Sequence, residues 1–170
     1  MDLLVRELNT KELLTIKCDV TSEQEVEAAI KKTVETFGAV HVALNCAGVD
    51  WHQQMLTSKA AIDTSRLELM FRINVFGSVF VAKHAAIAMS KNKASEHGDK
   101  GLILFVSSIM GEEGGRGLVG YAGTKGALHG MVMPMARDLG RYGIRVVSIA
   151  PGLFMTPMAE AAKEIDKVRS

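Results

Sequence analysis

The strongest constraint on the fold is a set of short runs that are apolar on both faces, each separated from the next by a helix-length segment. Leu102-Ile103-Leu104-Phe105-Val106-Ser107 is the clearest. Side chains of a strand point alternately to its two faces, so a run with no polar alternation needs cover on both. Residues 13–19, 40–45 and 145–150 carry similar runs. Between the first two, Val26, Ala29, Ile30, Thr33, Val34 and Phe37 recur on one face of a helix. Thr21 and Gln24 stand before it at capping-box spacing, and Gly38 follows it. Further helix patterns cover residues 66–90 and 121–142, the second expected to bend or break near Pro134. Residues 49–65 and 91–100 read as polar loops, and 109–120 as a glycine-rich loop. Strand–helix alternation of this kind predicts an α/β domain with a parallel sheet of about four strands. Right-handed crossovers then place the intervening helices on one face and leave the other bare.

A chain of 170 residues holds one domain, here residues 1–170. Its 48% hydrophobic and 23% charged residues are ordinary for a water-soluble protein. A net charge of +1, from 20 basic and 19 acidic residues, argues against nucleic acid or an anionic membrane as partner. No apolar run is long enough to span a bilayer. Cys18 and Cys46 lie in strand-like apolar runs and are expected to be buried thiols of a reducing compartment. The five histidines are scattered without zinc spacing, so no metal site is expected. Residues 1–14 carry Asp2, Glu7 and Glu12 and read as neither a signal nor a transit peptide.

The chemistry centres on Tyr121-Ala122-Gly123-Thr124-Lys125, which puts Tyr and Lys one above the other on a helix. A cation beside a phenol stabilises the phenolate, and such a Tyr can exchange a proton with an alcohol oxygen. Alone, this spacing is more often a surface pair. Other residues strengthen it. Ser108 ends a strand thirteen residues before Tyr121 and offers a hydroxyl opposite the phenol. Asn45-Cys46-Ala47-Gly48 ends the preceding strand, and Asn74 interrupts a long helix pattern with a poor helix former. Asp19 and Val20 follow the first strand; Pro151-Gly152, with Thr156 four residues on, follows the last. All lie at carboxyl ends of strands or on the helices that follow, where open α/β sheets bind ligands.

Asn-x-Ala-Gly, the helix Asn, the Ser, Tyr-x-x-x-Lys and Pro-Gly-x-x-x-Thr stand in the order and spacing of the short-chain dehydrogenase/reductases, which this chain resembles over residues 13–158. The stretches 37–48, 136–139 and 144–154 look most like the branch that contains the type-2 3-hydroxyacyl-CoA dehydrogenases and 17β-hydroxysteroid dehydrogenase type 10. The resemblance implies a partial Rossmann-type sheet lacking the first βαβ unit and the last helix and strand. It implies an NAD-dependent oxidoreductase, with NADP not excluded, interconverting a secondary alcohol and a ketone of acyl-CoA or steroid type. Tyr121 is then the general acid/base, Lys125 its pKa-lowering partner and ribose contact, and Ser108 the orienter of the reacting oxygen. Asn74 holds a water that links Lys125 to solvent. Asp19 and Val20 meet the adenine; Asn45, Ala47 and Gly48 line the ribose; Pro151, Gly152 and Thr156 meet the nicotinamide end. The resemblance also implies a mitochondrial location (cytoplasmic otherwise) and a homo-oligomer when complete.

Two features qualify this expectation. Gly115-Arg116-Gly117-Leu118-Val119-Gly120 has the letters of a dinucleotide fingerprint. It begins eight residues after Ser107 instead of leaving a strand directly, so it reads as a loop beside the site. The family's glycine-rich phosphate turn is not found in the 170 residues. The alternative reading is therefore a catalytically inactive fragment that serves as an interaction or oligomerisation module. In the family, the helices matching residues 66–90 and 121–142 pack between subunits.

Overall fold

The computed structural model describes residues 12–154. Its elements are α1 (Glu23–Phe37), β1 (Val42–Asn45), α2 (Thr64–Phe71), a π-helical turn (Arg72–Phe76), α3 (Gly77–Met89), β2 (Gly101–Val106), the short α4 (Met110–Glu113), α5 (Val119–Gly140) and β3 (Ile144–Ile149). The three strands form a parallel sheet in the order β1-β2-β3. Ala43 pairs with Ile103, and Ile103 with Val146.

Alternation along the strands sorts their residues onto two unlike faces. Ala43, Ile103, Phe105, Ile144 and Val146 are buried with Ala82, Ala85, Met89 and Leu128 in one cluster. α3 and α5 lie on this face, and α1 packs on α3. Gly101 admits the Met89 side chain: a Cβ there would stand 2.5 Å from its sulfur. The opposite face carries Val42, Leu44, Val147 and Ile149, all exposed. The bare face expected from the crossovers is thus present among the described residues.

Local differences from the sequence reading have physical causes. Residues 13–19 form no ladder with any described strand. β-propensity alone does not make a strand; a hydrogen-bonding neighbour does. The sheet therefore has three strands here against the four expected. The helix cap lies one residue later than expected: Ser22 Oγ accepts from Glu25 N–H, while Asp19 Oδ1 binds Thr21 N–H and hydroxyl, which occupies Thr21 in a turn of its own. α5 runs unbroken through Pro134. Packing of this helix on β3 and α4 outweighs the local penalty of about 3 kcal/mol for a proline in a helix interior. Cys46 is exposed and Cys18 partly so, because both lie beyond the paired part of a strand.

Ion pairing secures α1. Glu23 Oε1 meets Lys83 Nζ at 2.6 Å and His84 Nε2 at 3.2 Å, both on α3. The Lys83 hydrogen bond holds the Glu23 carboxyl below the usual carboxylate range. Among the described residues no helix is long and apolar enough to cross a membrane.

Candidate active site

The site is assembled at the carboxyl ends of β1 and β2 by backbone that runs out of the sheet. After β2, Ser107 N–H donates to Ile149 O at 2.8 Å, and Ile109 N–H donates to Pro151 O at 3.0 Å. These bonds carry the ladder of β2 and β3 past its end and set Pro151 beside Ser108. Ser107 Oγ donates to Lys125 O at 2.8 Å, which ties the strand end to α5. α4 then crosses α5 so closely that a Cβ on Gly111 would stand 2.8 Å from Gly126 N and from Lys125 C. Only a glycine permits that approach.

Tyr121 and Lys125 share one face of α5, with Lys125 Nζ 5.5 Å from the centre of the Tyr121 ring. Lys125 is 7% exposed, and its Nζ donates to Val106 O at 2.6 Å. Burial pushes this ammonium below its ordinary value; the neighbouring Cys46 and Asp50 pull it back up. The Tyr121 phenol stands above its ordinary value, first because it is buried and further because Asp50 faces it. The Ser108 side chain opposes this as a hydrogen-bonding neighbour. The expected depression of Tyr121 by Lys125 is not found. The ammonium lies toward the ring and is engaged by a backbone carbonyl, so burial dominates.

Asn74 sits in the π-helical turn and is 1% exposed. Its Oδ1 accepts from Val49 N–H at 2.8 Å, and its Nδ2 donates to Val49 O at 2.9 Å and to Thr124 Oγ1 at 3.0 Å. The carboxamide thus clamps the loop after β1 onto the helices. π-turns recur at functional sites because the extra residue redirects a side chain. Gly48 lies in the same cluster: a Cβ there would stand 3.3 Å from Asn74 Oδ1 and 3.8 Å from Lys125 Nζ.

The other sequence candidates are placed as follows. Asn45 is buried at the end of β1, with Nδ2 at 3.4 Å from Leu104 O, and Ala47 follows it, exposed. Val20 touches α3 at Gly77, where a Cβ would come within 2.9 Å of the Val20 side chain. Asp19 is exposed, and its bonds to the Thr21 backbone and hydroxyl lower its carboxyl below the usual range. Gly152 is exposed beyond β3; Thr156 lies outside the described residues. The structure therefore brings Ser108, Tyr121, Lys125, Asn74 and Gly48 together, with Asn45 and Pro151 at the adjoining strand ends. The glycine run 115–120 is a loop as far as Leu118 and then enters α5: Gly117 has φ 77°, and Arg116 O contacts His52 Nε2 at 2.9 Å.

Three residues escaped the sequence reading. Thr124, fully buried, accepts from Asn74 and donates to Tyr121 O at 2.8 Å. The sequence marks Ser107 only as a strand end. Asp50 follows the Asn-x-Ala-Gly run by two residues, and its one signal was an acid where a strand-end loop turns inward. Burial raises its carboxyl, while His52 and Lys125 draw it down.

Comparison with known proteins bears on the family and the fold. The chain matches the short chain dehydrogenase family over residues 2–167. It is 38% identical over 157 residues to 3-hydroxyacyl-CoA dehydrogenase type-2 of Mus musculus, covering 89% of this chain and 58% of that protein. To the protein of the same name in Drosophila melanogaster it is 35% identical over 170 residues, covering 98% and 65%. Among solved structures, 3-hydroxyacyl-CoA dehydrogenase type-2 from Mycobacterium avium superposes with a TM-score of 0.80 at 31% identity, covering 86% of this chain and 58% of that one. ElxO with NADP bound gives 0.82 at 28% identity, covering 99% and 65%. The chain thus spans 58% to 65% of the length of these relatives. With that match running over nearly all its residues, the chain belongs to the short-chain dehydrogenase family.

Proposed function

We propose that this chain carries the catalytic part of a nicotinamide-dependent oxidoreductase that interconverts a secondary alcohol and a ketone, of 3-hydroxyacyl-CoA or hydroxysteroid type. One observation carries the reading: a phenol, a serine hydroxyl and a buried ammonium converge at the strand ends. In oxidation, Tyr121 in its phenolate form, reached at high pH, takes the proton of the substrate hydroxyl while Ser108 holds the same oxygen. Reduction returns the proton from Tyr121 to the carbonyl oxygen. Burial keeps Tyr121 protonated at neutral pH, which suits it to deliver a proton.

When bound, NAD or NADP would supply the hydride acceptor for the alcohol's carbinol carbon in oxidation and the hydride donor for the carbonyl carbon in reduction. The residues present fit such a group. Among the described hydrogen bonds, the buried Lys125 ammonium uses one of its three donors, on Val106 O, leaving two to meet a ribose diol. Gly48 keeps a Cβ away from that ammonium. Asn45, Ala47, Gly48, Tyr121, Lys125, Pro151, Gly152 and Thr156 would hold the nicotinamide half, and Asp19 and Val20 the adenine. The likeness to 3-hydroxyacyl-CoA dehydrogenases type-2 supports acyl-CoA substrates and, as part of the same proposal, a mitochondrial location and a homo-oligomer.

The test is an assay of the chain with acetoacetyl-CoA and NADH, beside Tyr121→Phe. The substitution should lower kcat by about 10²-fold or more. Unchanged turnover in Tyr121→Phe sinks the proton-transfer role. A second reading, an inactive interaction module, draws on the exposed Leu69 and Phe76 of the α2–α3 region and the exposed sheet face. It predicts self-association without NADH binding, read by sedimentation and by NADH fluorescence.

A further inference from the structure

Asp50 Oδ1 is the one buried side-chain oxygen or nitrogen among the described residues that has no hydrogen-bond partner. Buried polar atoms without partners are rare because each carries its full desolvation cost, so each asks for an explanation. A mobile carboxylate would turn to water. This one has little freedom to do so, because its loop is pinned on both sides. Val49, just before it, has N–H and C=O both bound by the Asn74 carboxamide. Gln53, just beyond, donates its N–H to Gly117 O at 2.7 Å, and His52 Nε2 meets Arg116 O at 2.9 Å. The loop after β1 is thereby fastened to the loop before α5, and Asp50 is held between the fasteners. Its location is the reaction centre: its charge acts on both the Tyr121 phenol and the Lys125 ammonium, and Gly48 two residues earlier adjoins Lys125 Nζ.

We propose that Asp50 is a specificity-determining residue whose carboxyl accepts a hydrogen bond from a hydroxyl or amine of the substrate, next to the carbon that reacts at Tyr121 and Ser108. The substrate class is then narrower than a simple secondary alcohol: a vicinal diol, a hydroxyketone or an amino alcohol, which selects the hydroxysteroid type over the 3-hydroxyacyl-CoA type of the function proposed above. A site built to accept a donor rejects the analogue that lacks one, since the carboxyl is left unpaired. This proposal rests on the reading of Tyr121 and Ser108 as the reacting-oxygen site.

Two measurements on the 170-residue chain test it. In ligand-observed NMR titrations, trans-1,2-cyclohexanediol should bind at least about tenfold more tightly than cyclohexanol. Asp50→Ala should erase that preference, and Asp50→Asn, which keeps an acceptor, should retain part of it. In thermal unfolding without ligand, both variants should melt a few degrees higher than the parent, because an unpaired buried carboxyl is removed. Equal binding of the two probes by the parent chain, or binding of neither, overturns the proposal. So does a lower melting temperature in both variants, which would make Asp50 a structural partner. Loss of NADH affinity in Asp50→Ala with the diol preference intact overturns it too, by assigning the carboxyl to the cofactor. Failure of the oxidoreductase reading looks different: diol preference with no Tyr121-dependent turnover. Tyr121-dependent turnover without diol preference sinks the Asp50 proposal alone.

Discussion

The helix-covered layer behind the sheet and the polar cluster at its carboxyl end are adjacent, yet they obey opposite rules. Behind the sheet, Ile103, Phe105, Ala85 and Met89 are fully buried and wholly apolar. At the strand ends lie a buried lysine, a buried asparagine and a carboxylate oxygen without a partner. The first region gains stability from every contact. The second holds groups whose burial opposes their charge, as the lowered Lys125 and raised Asp50 attest. Functional sites are where proteins accept such opposition. The difference teaches where in this chain stability and activity can be separated by substitution.

The largest expected effect on stability lies in the core. Phe105→Ala should destabilise the chain by about 3–5 kcal/mol in urea unfolding, from lost burial and the cavity left. A loss below about 1 kcal/mol would mean that the apolar layer is not the structural centre described. Gly111→Ala comes next, because it sits on the seam between the two regions. Its Cβ meets backbone, so α4 must move off α5, costing about 1–3 kcal/mol and displacing Ser108 relative to Tyr121. Stability and turnover should fall together. Asn74→Ala removes three hydrogen bonds to Val49 and Thr124 and should cost about 1–3 kcal/mol, with faster amide exchange at Val49 as its local signature.

The smallest effect is the most diagnostic, and it concerns pH. The Asp50 carboxyl is raised above 3.8 when folded, so between 3.8 and its folded value the native state binds more protons than the unfolded state. Stability therefore falls as pH rises through that window. Asp50→Asn should be the more stable chain at pH 7, and its advantage should vanish below about pH 4, where the parent's carboxyl is protonated in both states. An advantage that persists unchanged at low pH would refute a charge-based cause.

Much of the architecture is legible in the sequence because it depends on local pattern. The period of Val26, Ile30 and Val34 fixes a helix face, and the apolar run 102–106 has the length and bulk of a strand covered on both faces. The proposed site cluster is legible because Asn45, Asn74, Ser108, Tyr121 and Lys125 stand in the order and spacing of the family pattern. What escapes depends on neighbours distant in the chain. Residues 13–19 have the composition of a strand, but a ladder needs a second backbone. The choice between Thr21 and Ser22 as cap turns on where the Asp19 carboxylate goes. Pro134 reads as a break until the surfaces on either side of its helix are known. Asp50 is unremarked in the sequence because an acid in a loop is ordinary, and only burial makes it conspicuous.

The clamp that Asn74 forms on Val49 has a consequence beyond its two bonds. A carboxamide is a peptide group in miniature, donor and acceptor side by side. It therefore treats Val49 as an adjoining strand would, without any strand being there. Aspartate in its place would bring two acceptors and leave the Val49 carbonyl facing a like dipole; glutamine would overshoot by a methylene. A loop gains the rigidity of a sheet from a single side chain, and one atom's exchange is enough to set it loose.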